Sequence, residues 1–324
     1  MKMLILYTLQ HLTVDGICGA ALAAYAVNEF DYEQIVFYFG IYNLIAFGGQ
    51  AAAGFFLDKH QNFLRASFLV SLICLGVGTL PVAGIFAQAI FLGVGNCLFH
   101  VTAGRIVLQN YSSFKALGLF VSSGAIGLAA GLNLLIDAKI FLIAYAVLTV
   151  LVLAKFQEPE ISDVQISETG LSLPLIFCSI LLLSCVIMRG FGGGGSSSEY
   201  VMLFPIIFAA GKFLGGVCCD KFGWQNTILL IFLLGFLSLQ FVGLVPLIIL
   251  TLSFNMTMPL TLRLLHACSP AYPGMIFGLA AGCLMPGAFF HEKITIAVQA
   301  MVVIQFLILF AAWKIFRKCS LTTI

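Results

Sequence analysis

Charge is what this chain has least of. Only 9% of its 324 residues are Asp, Glu, Lys or Arg, against roughly 25% in a soluble globular domain, too few to clothe a core in a water-facing surface. The net charge of +2 is spread along the chain and gathers into no basic patch, so a nucleic-acid partner is not expected. Ten cysteines are present, yet none forms a C-x-x-C pair or a zinc spacing with histidine. Cys18, Cys74, Cys97, Cys178, Cys185 and Cys283 fall inside apolar runs, and Cys218-Cys219 ends one, so they read as small buried hydrophobes. H-E-x-x-H, G-x-S-x-G and a phosphate-cradling loop are missing, which argues against an enzyme, a resident cofactor and a primary pump. No short apolar stretch with a cleavage site opens the chain; the first greasy run continues to about Val27 and reads as a mature span.

What is there is grease. The chain is 61% hydrophobic with a mean hydropathy of +1.11, the composition of an integral membrane protein. A crossing helix needs about 20 apolar residues. Such runs are expected at 3–27, 34–57, 64–83, 84–108, 114–136 and 138–155, then at 173–191, 200–219, 225–242, 244–266, 270–290 and 293–316. The polar stretch FQEPEISDVQISETG separates the sets. The expected architecture is therefore all-α, with twelve spans: an N-terminal six-helix bundle at 1–155, a linker at 156–172, and a C-terminal six-helix bundle at 173–324.

Basic residues set the orientation. With the N-terminus inside, Lys2, Lys59, Arg65, Arg105, Lys115, Lys155, Lys212, Lys221, Arg263, Lys314, Arg317 and Lys318 count as cytoplasmic, against Lys139, Arg189 and Lys293 outside. Both termini and the linker are then cytoplasmic. The stretch FGGGGSSSEY at 191–200 becomes an outer turn of flexible composition, either a gate or an introduced linker.

The halves repeat. GQAAAGFFLDK (49–59) and GKFLGGVCCDK (211–221) match Gly49, Gly54, Asp58 and Lys59 to Gly211, Gly216, Asp220 and Lys221 at an offset of 162. NCLFHVTAGR followed by ALGLF is answered by NMTMPLTLR followed by GMIFGL. A duplicated six-helix unit with polar residues at mid-depth is a secondary-transporter pattern.

The repeated G-x-x-x-D-K end resembles the loop signature of the major facilitator superfamily. GGVCCDKFGW matches better, because Gly223 is in place where GFFLDKHQNF has Gln61. Within that superfamily, HLTVDGICGA and GNCLFHVTAGR look like the first and fourth helices of the fosmidomycin-resistance type of permease, with its H-x-x-x-D-x-x-x-G and G-x-x-x-F-H segments. The resemblance implies that spans one, four, seven and ten line a central cavity, and that the protein sits in the plasma (inner) membrane.

Three of those spans carry mid-depth polar stripes at helical spacing: Tyr7, His11, Asp15 and Gly19; Asn96, His100 and Gly104, with Arg105 nearer the inner end; Thr251, Asn255, Pro259 and Arg263, with Thr257 beside them. Span seven is poorer, with Ser179, Ser184 and an outer Arg189. His11 and Asp15 read either as one intrahelical hydrogen bond that fixes packing or as a proton or substrate site. Arg105 and Arg263 either snorkel to the cytoplasm or draw an anion inward. The glycines of SGAIGLAAG (123–131), and Gly278, Gly282 and Gly287 near Pro286, read as packing and bending positions; the proline found with such glycines in antiporters is absent from the first set.

A carboxylate at a helix end can latch a neighbouring helix's N-terminus or pair with Arg and Lys, so Gly54, Asp58 and Lys59 with Gly216, Asp220 and Lys221 form the expected inner gate. The alternative is that they only anchor topology. The function expected is secondary active transport of a small anionic or polar organic solute by alternating access, coupled to protons, by a monomer in the lipid bilayer. The competing readings are a nontransporting receptor on the same scaffold and a soft-metal carrier using Met256, Met258, Cys268, His100 and His266.

Overall fold

The computed structural model describes residues 2–27, 31–80, 84–156, 172–192, 201–290 and 298–321. The described regular structure is entirely helical. It runs α1 (Lys2–Val27), α2 (Tyr32–Asn43), a π turn at Leu44–Gly48, α3 (Gln50–Lys59), a 3-10 turn at Gln61–Phe63, α4 (Leu64–Gly78), α5 (Ile85–Asn110), α6 (Phe114–Leu132) and α7 (Ala138–Lys155). After the linker come α8 (Leu173–Gly192), α9 (Leu203–Ser238), α10 (Leu244–Cys268), α11 (Pro273–Gly282), α12 (Leu284–Phe290) and α13 (Val298–Leu321). Among the described residues, nine helical segments are long and apolar enough to cross a membrane. Helix α1 is not one of the nine, although its 26 residues rise about 39 Å. Gln10, His11, Thr13 and Asp15 make it less apolar.

Local chemistry sets several boundaries. The Ser113 hydroxyl accepts from Ala116 N and the Asp137 carboxylate from Lys139 N, capping α6 and α7. Pro273 opens α11, where a missing N–H costs nothing. Helix α9 is continuous in its hydrogen bonding but breaks at Gly223, whose φ of 75° is the left-handed region that glycine alone adopts freely. The expected spans 200–219 and 225–242 thus meet at that kink with no loop between them. The expected span 34–57 is interrupted by the π turn, and 270–290 is split into α11 and α12 at Cys283. Most of the linker and most of the glycine-serine stretch, 157–171 and 193–200, lie outside the described residues.

Burial is inverted relative to a water-soluble protein. Ile73, Ile143, Val147, Val150 and Ile180 face outward, while Gln10, Asn96, Arg105, Thr149 and Gln305 are buried. In lipid this is the stable arrangement, because polar groups must be satisfied inside the bundle. Gln10 Nε2 donates to Thr149 Oγ1 at 3.1 Å, and the Ser71 hydroxyl donates to Gly95 O at 2.7 Å while lying 3.0 Å from the Tyr145 hydroxyl. Helix α1 packs on α6 and α7, α4 on α5, α10 on α9, and α12 and α13 on α8. The two halves of the sequence meet through α3 against α11 and α6 against α9.

Candidate functional site

A cavity of about 410 Å³ opens between the halves. Its N-terminal wall carries His11 and Asp15 of α1, His100 of α5 and Gly124 of α6. Its C-terminal wall carries Arg189 of α8, Lys212 of α9, Thr261 of α10 and Phe277 of α11. Apolar side chains, among them Phe47, Phe208, Met258 and Leu262, make up most of the remaining lining.

The histidines are held from behind. His11 Nδ1 donates to Phe120 O at 2.8 Å, and His100 Nδ1 donates to Asn96 O at 2.9 Å. Their Nε2 atoms face each other at 2.9 Å. A neutral imidazole has one N–H, so with both Nδ1–H groups committed to carbonyls, both Nε2 atoms present lone pairs. Two lone pairs at that distance repel unless an electrophile sits between them. Asp15 lies beside the contact, 3.3 Å from His11 Nε2 and 3.4 Å from His100 Nε2, and accepts from Asn96 Nδ2 at 3.2 Å. His11, Asp15 and His100 offer ligand atoms within 4.8 Å of one another, a grouping that also has the composition of a metal site. The nearby cations disfavour a divalent ion: Lys212 is within electrostatic reach of both Asp15 and Arg189. A single proton, balanced by Asp15, fits the same geometry at lower charge.

Gly124 was read from sequence as a packing position. The structure puts it against the site, where a Cβ would collide with Asp15 Oδ2 and His11 Nε2. Close approach of α6 to the polar pair therefore requires glycine there.

The carboxylates at the helix ends form two related contacts. Asp58 accepts from Gly274 N and Met275 N, both at 2.9 Å, at the start of α11. Asp220 accepts from Phe114 N at 2.9 Å and Lys115 N at 2.8 Å, at the start of α6. Each carboxylate meets the free N–H groups and positive dipole end of a helix in the other half. Side chains at Gly54 or Gly216 would strike the backbone of Gly274 or Phe114. Lys59 and Lys221 take no part: both are exposed and lie over Phe55 and Phe222 of their own helices.

The expected anion-drawing arginines are held at helix ends and by the Asp58 carboxylate. Arg105 Nε donates to Asp58 Oδ1 at 2.9 Å, both side chains being 1% exposed. Arg263 Nη1 donates to Leu108 O at 2.9 Å and Nη2 to Tyr111 O, across to the end of α5. Neither lines the cavity, because helix-end carbonyls and a buried carboxylate satisfy them better than open space does. Tyr7 stacks on Phe68 inside the N-terminal half, and Asn255 Nδ2 donates to Thr251 O on its own helix. Of the soft-metal set, only His100 and Met258 reach the cavity.

Sequence reading passed over Lys212 and Arg189 as cavity groups. Lys212 precedes Asp220 by eight residues, about 12 Å along a helix, which is too deep for an inner-surface charge. Counting it as cytoplasmic obscured that signal.

Neither a family model nor a curated protein matches the chain. Solved structures do. FucP, a major facilitator superfamily transporter in the outward conformation, superposes with a TM-score of 0.69 at 12% identity, over 98% of each chain. The chain has the major facilitator fold. A second FucP structure, of the E. coli fucose:proton symporter, gives 0.66 at 12% identity over 98% of this chain and 97% of that one. The proton:xylose symporter XylE bound to 6-bromo-6-deoxy-D-glucose gives 0.64 at 13% identity, covering 96% of this chain and 94% of its own. The contacts of Asp58 with α11 and of Asp220 with α6 each join the two halves.

Proposed function

We propose that this protein is a proton-coupled secondary active transporter of a small organic anion, working by alternating access. The observation that carries this reading is a cavity between two repeated halves that are also bolted together by Asp58 on α11 and Asp220 on α6. Carboxylates bound to helix N-termini release as units when the halves rock, so both bolts can open together. The helices then make twelve crossings in two six-helix bundles, 1–155 and 173–324, joined by the linker. Both termini face the cytoplasm of a plasma membrane, and the bolted end is the inner gate. The protein works as a monomer. The H-x-x-x-D and G-x-x-x-F-H segments support a place near the fosmidomycin-resistance type of permease.

Proton coupling rests on the facing Nε2 atoms. One proton shared between His11 and His100, with Asp15 as counter-charge, removes the lone-pair repulsion and leaves the cluster neutral. FucP and XylE are proton symporters by name, which agrees with this reading. The test is uptake of organic anions by proteoliposomes with and without an imposed pH gradient. Accumulation should follow the gradient and collapse with a protonophore. Accumulation indifferent to the gradient sinks proton coupling, and no flux in either direction sinks transport itself and favours a receptor.

A further inference from the structure

We propose that Arg189 and Lys212, with Thr261 orienting the guanidinium, form the subsite for the charged head of an organic carboxylate whose apolar body lies against Phe208, Met258 and Phe277. The proposal deepens the transport reading by naming the substrate class and the residues that select it.

Lys212 and Arg189 share the C-terminal wall of the cavity. Arg189 is buried at 5% exposure, and its Nη1 donates to Thr261 Oγ1 at a long 3.4 Å. The Thr261 hydroxyl already donates toward Thr257 O and Met258 O, each 3.0 Å away, so it meets Arg189 as an acceptor and fixes the fork's direction. Among the described residues, that leaves most of the five guanidinium N–H donors of this cavity-lining arginine without a partner. Among the described residues, Lys212 makes no hydrogen bond and no ion pair. Snorkelling is closed to it, because about 12 Å of helix separates it from the Asp220 end.

Among the described residues, the only carboxylate on the cavity wall is Asp15, and His11, His100 and Asn96 already hold it. Two cations therefore meet one engaged anion. Buried cations persist in a membrane bundle when a partner arrives that the protein itself does not supply. A carboxylate matches the arginine fork in two bonds and the lysine as a point charge. A neutral polyol would leave both charges unmatched. The largely apolar lining calls for a body with few hydroxyls.

Binding to the full-length protein in detergent tests this, using midpoint of thermal unfolding and calorimetry. The probes are acetate, hexanoate, phenylacetate, its neutral counterpart 2-phenylethanol, its cationic counterpart 2-phenylethylamine, and inorganic phosphate. Hexanoate and phenylacetate should raise the midpoint, acetate should bind about tenfold more weakly for lack of a body, and the alcohol and amine should not register. Arg189→Gln and Lys212→Gln should each weaken carboxylate binding about tenfold or more, with Arg189→Lys retaining part of it. Without ligand, Lys212→Met should unfold at a higher temperature than wild type, since it removes a half-buried charge with no partner among the described residues. A lysine that serves packing would give a lower midpoint instead. The proposal is overturned if no carboxylate in the panel binds, if the alcohol binds as tightly, if phosphate outcompetes the carboxylates, or if both Gln variants bind normally. Binding without flux in proteoliposomes would sink the transport reading alone; flux with unaltered binding in the variants would sink this subsite alone.

Discussion

The two walls of the cavity are built on opposite principles. On the N-terminal wall every polar side chain has a partner: two backbone carbonyls hold the imidazoles, and Asn96 and both histidines hold Asp15. On the C-terminal wall, Arg189 has one long bond and Lys212 has none among the described residues. A cluster whose side chains are already held in place binds something small enough to enter without displacing them, and a proton is that small. An unsaturated pair of cations awaits a ligand with charge of its own. On the proposed transport reading, the difference assigns the coupling ion to one half and the solute to the other.

The largest effect should come from Asp15→Asn, which removes the counter-charge of the shared proton. We expect pH-driven accumulation to fall about a hundredfold, with solute exchange surviving, since exchange moves no net proton. Accumulation at wild-type pH dependence in that variant would mean that the N-terminal cluster is structural. Gly124→Val drives a side chain into the same pair, and about tenfold loss of transport in a protein that still inserts is expected. Normal transport there would show that the wall has room the geometry denies it.

The bolts differ as well, and in a graded way. Asp58 is buried with Arg105, so Asp58→Asn strands a guanidinium and costs about 3 kcal/mol. Asp220 is exposed and bonds only to backbone N–H groups, so Asp220→Asn should cost about 1 kcal/mol. The Gly-Asp-Lys match alone favours the second copy, because Gly223 completes it; the buried ion pair reverses that ranking. Transport rates and cysteine accessibility at the bolted end, measured in both variants, decide the order, and equal losses would remove the distinction. Smallest is His11→Ala, which leaves His100 with Asp15 at 3.4 Å. Transport should persist with a displaced pH optimum, since the Nε2 that faces His100 is gone. An unmoved optimum would place the proton elsewhere.

Much of the candidate site was legible in the sequence as a polar grouping. His11, Asp15, Asn96 and His100 stood out as polar residues at helical spacing inside apolar runs, and the structure brings all four together. The repeat at an offset of 162 marked Asp58 and Asp220 as equivalent, and both prove to bind helix N-termini. Other roles were hidden for identifiable reasons. Depth read from segment boundaries put Lys212 at the surface, and Arg105 and Arg263 looked like cavity cations until their partners were seen. Gly124 carries no side chain to signal a site at all.

Composition and periodicity by themselves determined that this chain is a helical membrane protein built on a repeat with a polar interior stripe. Those features follow from transfer energies and from the 3.6-residue turn, which act on neighbours along the chain. Only the tertiary structure decided which polar groups meet. Arg105 lies 47 residues from Asp58, and His11 lies 89 residues from His100. No local rule links residues so far apart; packing of whole helices decides whether a charge is neutralised, held ready or left to face the cavity.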